Sequence, residues 1–242
     1  MTFLHLNTPS HVSLRRDVIA TALRMNASGI NHGKSGNVSA RLVREGAESA
    51  GGDKGAGSER ATTNEFMITP TGIDYDATQP EQIVLMHSDG THEGETRPSS
   101  EWRFHRDIYV ARPEIGAIVH THSTFATSLA CQQRDIPAFH YMVAAAGGSD
   151  IRCAPYATFG TQALSDAALV ALTGRSACLL AQHGMIACGP DLKKALALAV
   201  EVEVLARMYW HALQLGEPPH LDDAEMQTVL KKFKTYGQQN PQ

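Results

Sequence analysis

The run Ile115-Gly116-Ala117-Ile118-Val119, followed at once by His120-Thr121-His122, constrains the chain most. A short apolar stretch of this kind reads as a buried strand. Strand side chains alternate between faces, so residues two apart point the same way, with Cα atoms ~6–7 Å apart. His120 and His122 therefore share a face at the end of a buried strand, and two such imidazoles can chelate one divalent ion. Taken as an isolated pair they leave a second reading open, with one core histidine and one loop residue. His183, in the turn Gln182-His183-Gly184 between apolar runs at 177–181 and 185–188, adds weight to the metal reading. Three neutral histidines with a fourth position open is a pattern of catalytic zinc.

Composition sets the frame. The 242 residues are 43% hydrophobic and 19% charged, an ordinary globular balance that suits one large domain. A net charge of −4 gives no basic surplus for nucleic acid or a membrane surface, so neither is expected as a partner. Twelve histidines stand against four cysteines. The cysteines Cys131, Cys153, Cys178 and Cys188 form no C-x-x-C pair and read as buried thiols of a reducing compartment. No apolar leader is visible before Arg16 and no run of apolar residues is long enough to span a bilayer, so a cytoplasmic location is expected.

Along the chain, residues 13–28 repeat apolar positions at helical spacing, with Ser13 as cap and Gly29 as stop. Residues 45–64 are polar and glycine-rich and read as an exposed hairpin insertion, and 1–10 as an extension. A strand at 66–68 enters the turn Thr69-Pro70-Thr71-Gly72. Pro98-Ser99-Ser100-Glu101 starts a helix ending near Pro113. Helices are expected at 123–131, 161–173, from Asp191 to Leu215, and at about 223–235. The expected fold is α/β, a single domain with a central mostly antiparallel or mixed sheet flanked by helices.

Glu101 lies in the first turn after two serines. A helix start offers unpaired N–H groups and partial positive charge, so Ser99 and Ser100 could help bind a phosphate. On its own the stretch is also an ordinary helix start. Gly29 to Ser35 imitates a P-loop but has three residues between glycines where four are needed, and it follows a helix. Nucleotide binding there is rejected; an anion-binding loop through Ser35, Gly36 and Asn37 stays open. His5, His11, His87, His92, His211 and His220 fall in polar or amphipathic contexts, and His32, His105 and His140 are not expected to be ligands.

Several segments together are specific. Gly33–Ser39, Ile68-Thr69-Pro70-Thr71-Gly72-Ile73, Pro98–His105, His120-x-His122 and Gln182-His183-Gly184 occur in the order seen in the class II sugar-phosphate aldolase and ribulose-phosphate 4-epimerase family, which the chain resembles over nearly its whole length. Ile136–Gly148, Cys153–Thr161 and Phe233–Gly237 look closest to members that cleave L-fuculose 1-phosphate. The resemblance implies one Zn²⁺ per subunit, or another divalent metal, on Glu101, His120, His122 and His183. It implies a phosphate held by Ser35, Gly36, Asn37, Thr71, Gly72, Ser99 and Ser100. Glu101 is then also the proton shuttle, Tyr141 reaches in from a neighbouring subunit of a homotetramer, and Tyr236 closes over the site.

The implied activity is reversible cleavage of a (deoxy)ketose 1-phosphate to dihydroxyacetone phosphate and an aldehyde, L-lactaldehyde from L-fuculose 1-phosphate. The alternatives are a 5-deoxyribulose or methylthioribulose 1-phosphate aldolase, or ribulose-5-phosphate 4-epimerase. In the epimerase branch an aspartate follows the two serines, where this chain has Glu101. A methylthioribulose 1-phosphate dehydratase and a cytoskeletal module without the histidines are further relatives; the retained histidines argue against the module. A metal Lewis acid makes a Schiff-base lysine unnecessary. Lys193, Lys194, Lys231, Lys232 and Lys234 accordingly fall on expected helix surfaces, and Lys54 in the insertion.

Overall fold

The computed structural model describes residues 9–44 and 61–233. Eight strands form one sheet in the order β4-β3-β2-β1-β5-β8-β7-β6. They are β1 (Asn37–Arg44), β2 (Ala61–Ile68), β3 (Val84–Met86), β4 (His92–Glu93), β5 (Ala117–Thr121), β6 (Cys153–Ala154), β7 (Ala177–Leu180) and β8 (Gly184–Gly189). Neighbours pair antiparallel except β6 with β7, so the sheet is mixed. The helices are α1 (Pro9–Ala27), α2 (Trp102–Ala111), α3 (Thr124–Cys131), α4 (Gln162–Ala171), α5 (Leu192–Leu213) and α6 (Asp223–Phe233).

Helices cover both faces of the sheet, so the central strands are buried throughout and read as unbroken apolar runs. The alternation is still there in the packing. Ala117, Val119, Met185 and Ala187 join the core with α1, α3 and α5. Ile118, Ile186, Cys178 and Leu180 join the core with α2 and α4. His120 follows Ile118 by two, which places it on the α2 face at the strand end.

Some sequence expectations shift. The first helix begins at Pro9, so Ser13 lies inside it and is no cap. Positions 61–64 belong to β2, paired with β1, so the expected insertion 45–64 is too long at its C-terminal end; 45–60 and 1–8 lie outside the described residues. Glu101 is the N-cap of α2, not a first-turn residue, and its side chain makes no capping bond. Cys131 is exposed and Cys153 half-buried, while only Cys178 and Cys188 are the expected buried thiols. The short strands β3, β4 and β6 and the 3₁₀ turn Tyr141–Ala146 had no strong sequence signal. The long helix keeps its expected cap, with the Asp191 carboxylate accepting from Lys194 N–H at 2.7 Å.

Candidate active site

Two elements bring in the histidines. β5 and β8 are paired, with His120 opposite Ile186, so the end of β5 meets the turn that leads into β8. That turn holds Gln182 at φ +50°, an unusual conformation for a side-chain-bearing residue, and it directs His183 back toward β5. Gly184 lets the rings approach. A Cβ there would lie 2.4 Å from the Thr121 carbonyl oxygen and 2.8 Å from a His122 ring carbon. From the other side, α2 begins at Glu101, whose carboxylate turns away from its own helix and into the histidines.

The four side chains converge, with one donor atom from each within 4.8 Å of the others. His120 Nε2 is 3.0 Å from His122 Nε2. Glu101 Oε2 is 3.1 Å from His120 Nε2, and Oε1 is 3.1 Å from His183 Nε2. The orientation of His120 is fixed from behind, because its Nδ1–H donates to the Met185 carbonyl at 2.9 Å. That bond fixes the tautomer and leaves the Nε2 lone pair facing the cluster. Glu101 Oε1 is buried and close to His183, yet it makes no hydrogen bond of good geometry.

Two facing nitrogens at 3.0 Å and an unbonded buried carboxylate oxygen are costly unless a cation lies among them. The spacings of 3.0–3.1 Å are near the ~3.3 Å edge of a tetrahedron with ligands at zinc distances. The donor set therefore fits a divalent ion.

Electrostatics point the same way. Burial works against the Glu101 charge, but His120 and His183 outweigh it and hold the carboxylate below its usual range. Burial likewise opposes a charged His120, and Glu101 overcomes it, raising the imidazole. His122 is pushed down to about 4, by burial first and then by the other two histidines. A divalent ion among the four donors would offset the buried Glu101 charge in the same sense.

A cavity of about 260 Å³ opens beside the cluster, lined by Ser35, Ser100, Glu101, His122, Gln182 and His183, with Tyr156 and Phe159 as aromatic walls. Two of the seven phosphate candidates reach this cavity. Ser35 and Ser100 line it. Ser99 is buried beneath, its Oγ accepting from Glu101 N–H at 3.3 Å. The Thr71-Gly72 turn is tied to the loop before β1 by Lys34 Nζ, which donates to the Gly72 carbonyl at 3.1 Å. Gly36 fits tightly, since a Cβ would meet the His120 carbonyl at 2.5 Å, and Tyr75 O–H donates to the Gly36 carbonyl. The Asn37 side chain is turned inward, its Nδ2 donating to Glu101 Oε2 at 3.0 Å.

Tyr141 is brought to none of these. It is half exposed and lines a separate groove with Phe139, His140 and α6. Tyr236 lies outside the described residues. Lys34, Gln182 and Gly184 stand inside the sequence motifs but were given no role of their own. His105, set aside as a ligand, is fully buried behind Asn37. The spacing Glu101, His105, Tyr109 on a helix, against Asn37, Ser39, Arg41 on a strand, was the signal available.

With this geometry the comparisons are unambiguous at the family level. Residues 16–210 match the family described as Class II Aldolase and Adducin N-terminal domain, and the chain belongs to that family. It is 50% identical over 228 residues to a 5-methylthioribulose-1-phosphate/5-deoxyribulose-1-phosphate aldolase of Rhodospirillum rubrum, covering 94% of each chain. It is 47% identical over 225 residues to the L-fuculose phosphate aldolase of Escherichia coli K12, covering 93% of this chain and 95% of the relative. A solved L-fuculose 1-phosphate aldolase superposes with a TM-score of 0.80 at 37% identity, over 92% of this chain and 96% of that one. The protein is a class II aldolase, a lyase acting on phosphorylated sugars; such aldolases are metal-dependent, and Glu101, His120, His122 and His183 could hold the ion. Among the described residues no helix is long and apolar enough to cross a membrane.

Proposed function

We propose that the protein is a Zn²⁺-dependent aldolase that reversibly cleaves the C3–C4 bond of a deoxyketose 1-phosphate, giving dihydroxyacetone phosphate and a small aldehyde. The observation that carries this reading is the four-donor cluster beside a cavity that Ser35 and Ser100 also line. Substrates with a terminal methyl or methylthio group suit the aromatic walls Tyr156 and Phe159. L-Fuculose, 5-deoxyribulose and methylthioribulose 1-phosphates all have such an end, and the relatives named above act on these three.

Breaking C3–C4 leaves an electron pair on C3 beside the C2 carbonyl. An ion held by Glu101, His120, His122 and His183 would supply Lewis-acid stabilisation of that charge. The chain's own residues do the rest. Ser35, Gly36, Asn37, Thr71, Gly72, Ser99 and Ser100 hold the phosphate through hydroxyls and backbone N–H groups, Ser99 and Ser100 at the start of α2. C3 gains one proton in cleavage while the C4 hydroxyl loses one; Glu101, ionised at rest, takes up a proton, delivers it to C3, and removes it again in synthesis. Tyr141, from a neighbouring subunit of a homotetramer, handles the proton on the aldehyde oxygen, and Tyr236 covers the site. The protein works in the cytoplasm as one domain.

Comparing kcat/KM for the three 1-phosphates and ribulose 5-phosphate tests the reading. Release of dihydroxyacetone phosphate from at least one 1-phosphate is expected. Turnover of ribulose 5-phosphate alone, without net release of cleavage products, would point to the epimerase.

A further inference from the structure

Behind Glu101, helix α2 and strand β1 meet along a buried polar seam. On α2, Glu101, His105 and Tyr109 are four apart and share a face; on β1, Asn37, Ser39 and Arg41 are two apart and share the opposing face. Four helical residues advance ~6 Å and two strand residues ~6.6 Å, so the two series stay in step. Asn37, Ser39, His105 and Tyr109 are each at most 2% exposed, in a core otherwise lined by Phe66, Phe104 and Ile108.

The contacts run in one line. Tyr109 Oη is 2.8 Å from Ser39 Oγ, which is 2.7 Å from His105 Nδ1. His105 Nε2 is 2.5 Å from Asn37 Oδ1, and Asn37 Nδ2 is 3.0 Å from Glu101 Oε2. Their direction follows from valence. The ionised carboxylate only accepts, so Asn37 must turn its NH₂ to it and its carbonyl to His105. His105 Nε2 must then carry hydrogen. Burial keeps the imidazole neutral, pushing its pKa down to about 3, so Nδ1 is the acceptor. Ser39 donates to it and accepts from Tyr109, whose phenol burial keeps protonated. No member can reverse without leaving a buried polar atom unpaired. Arg41 closes the far end, its Nη2 donating to the Tyr109 and Arg112 carbonyls at 2.7 and 2.9 Å, where α2 terminates.

We propose that His105 is a positioning residue for the metal centre: with Ser39 and Tyr109 behind it, it locks the Asn37 amide in the one orientation that pins Glu101 Oε2 and sets the plane of the carboxylate. This rests on the metal reading of the cluster and deepens it. It also assigns the Asn37 side chain to the carboxylate, leaving its backbone for phosphate.

The test compares Zn²⁺ dissociation constants by chelator competition and visible spectra of the Co²⁺-substituted protein. His105→Phe keeps a ring between Phe66 and Phe104 but removes both hydrogen bonds; His105→Gln keeps a donor for Asn37. Zn²⁺ binding about 10–100-fold weaker, with an altered Co²⁺ spectrum, is expected for His105→Phe. His105→Gln should recover most of both. Ile108→Val, on the same helix, serves as a control that lowers the melting temperature without moving either readout. Should His105→Phe fail to fold, Ser39→Ala and Tyr109→Phe probe the same line, with smaller shifts in the same direction. Wild-type affinity and spectrum in His105→Phe, or in both outer variants if it does not fold, overturn the proposal. Wild-type protein that takes up no Zn²⁺ or Co²⁺ overturns the metal reading itself.

Discussion

Glu101 carries more of the function than any other residue, and its surroundings explain how. It is 5% exposed, yet two histidines hold its carboxylate below the usual range and Asn37 donates to it. A charge that costly to bury points to use. Glu101→Gln keeps the volume and removes the base. We expect kcat to fall by about 100-fold or more, with exchange of the C3 proton of dihydroxyacetone phosphate into solvent water falling equally. Exchange at the wild-type rate, with metal retained, would remove Glu101 from the proton step. His105 makes a second prediction at this scale. Its folded pKa is depressed to about 3, so the unfolded chain binds its proton more readily. The stability it contributes is complete above ~6.5, its unfolded value, and is lost as pH falls from there through about 3. Urea midpoints of metal-free protein across that window should fall more steeply for wild type than for His105→Gln.

At the scale of elements, the site exists because β5, the 182–184 turn and the start of α2 end at one place. The pairing of β5 with β8 tolerates no side chain at Gly184, where a Cβ would strike the Thr121 carbonyl and the His122 ring. Gly184→Ala should cost about 1–3 kcal/mol of stability by overpacking. It should weaken Zn²⁺ binding as well, and thermal melts with and without Zn²⁺ separate the two effects.

How far the sequence revealed these elements depends on the range of the interaction. The apolar run before His120, the Asp191 cap and the two strands around His183 are local patterns, and each appears as read. Glu101 became visible as a ligand only through the family resemblance, because Ser-Ser-Glu is also an ordinary helix start. The Asn37–His105 seam was legible only as two unlinked spacings. Its period-two and period-four halves lie more than 60 residues apart, and only the packing of α2 on β1 joins them. Cys131 was misjudged because a thiol says nothing of which helix face it occupies.

At the scale of the whole molecule, the separation of Tyr141 from the metal cluster matters most. Tyr141 stands half exposed in a groove with Leu221, Val229 and Phe233, away from the cavity beside Glu101. If it serves a neighbour's site, activity belongs to the assembly. Glu101→Gln and Tyr141→Phe proteins, each inactive, should recover activity when unfolded together and refolded as mixed oligomers. Random mixing gives about one intact site in four when each site draws on two subunits. No recovery, in oligomers shown to be mixed, would place Tyr141 outside the neighbour's chemistry. Cleavage depends, in this reading, on a metal held by the four-residue cluster. The most direct test of that dependence is dihydroxyacetone phosphate release from the best of the 1-phosphates, measured on one preparation as purified, after exhaustive chelation, and after Zn²⁺ is returned. Activity should be lost on chelation and restored by one equivalent of Zn²⁺ per chain. Undiminished cleavage by protein shown by elemental analysis to hold no metal would contradict the dependence.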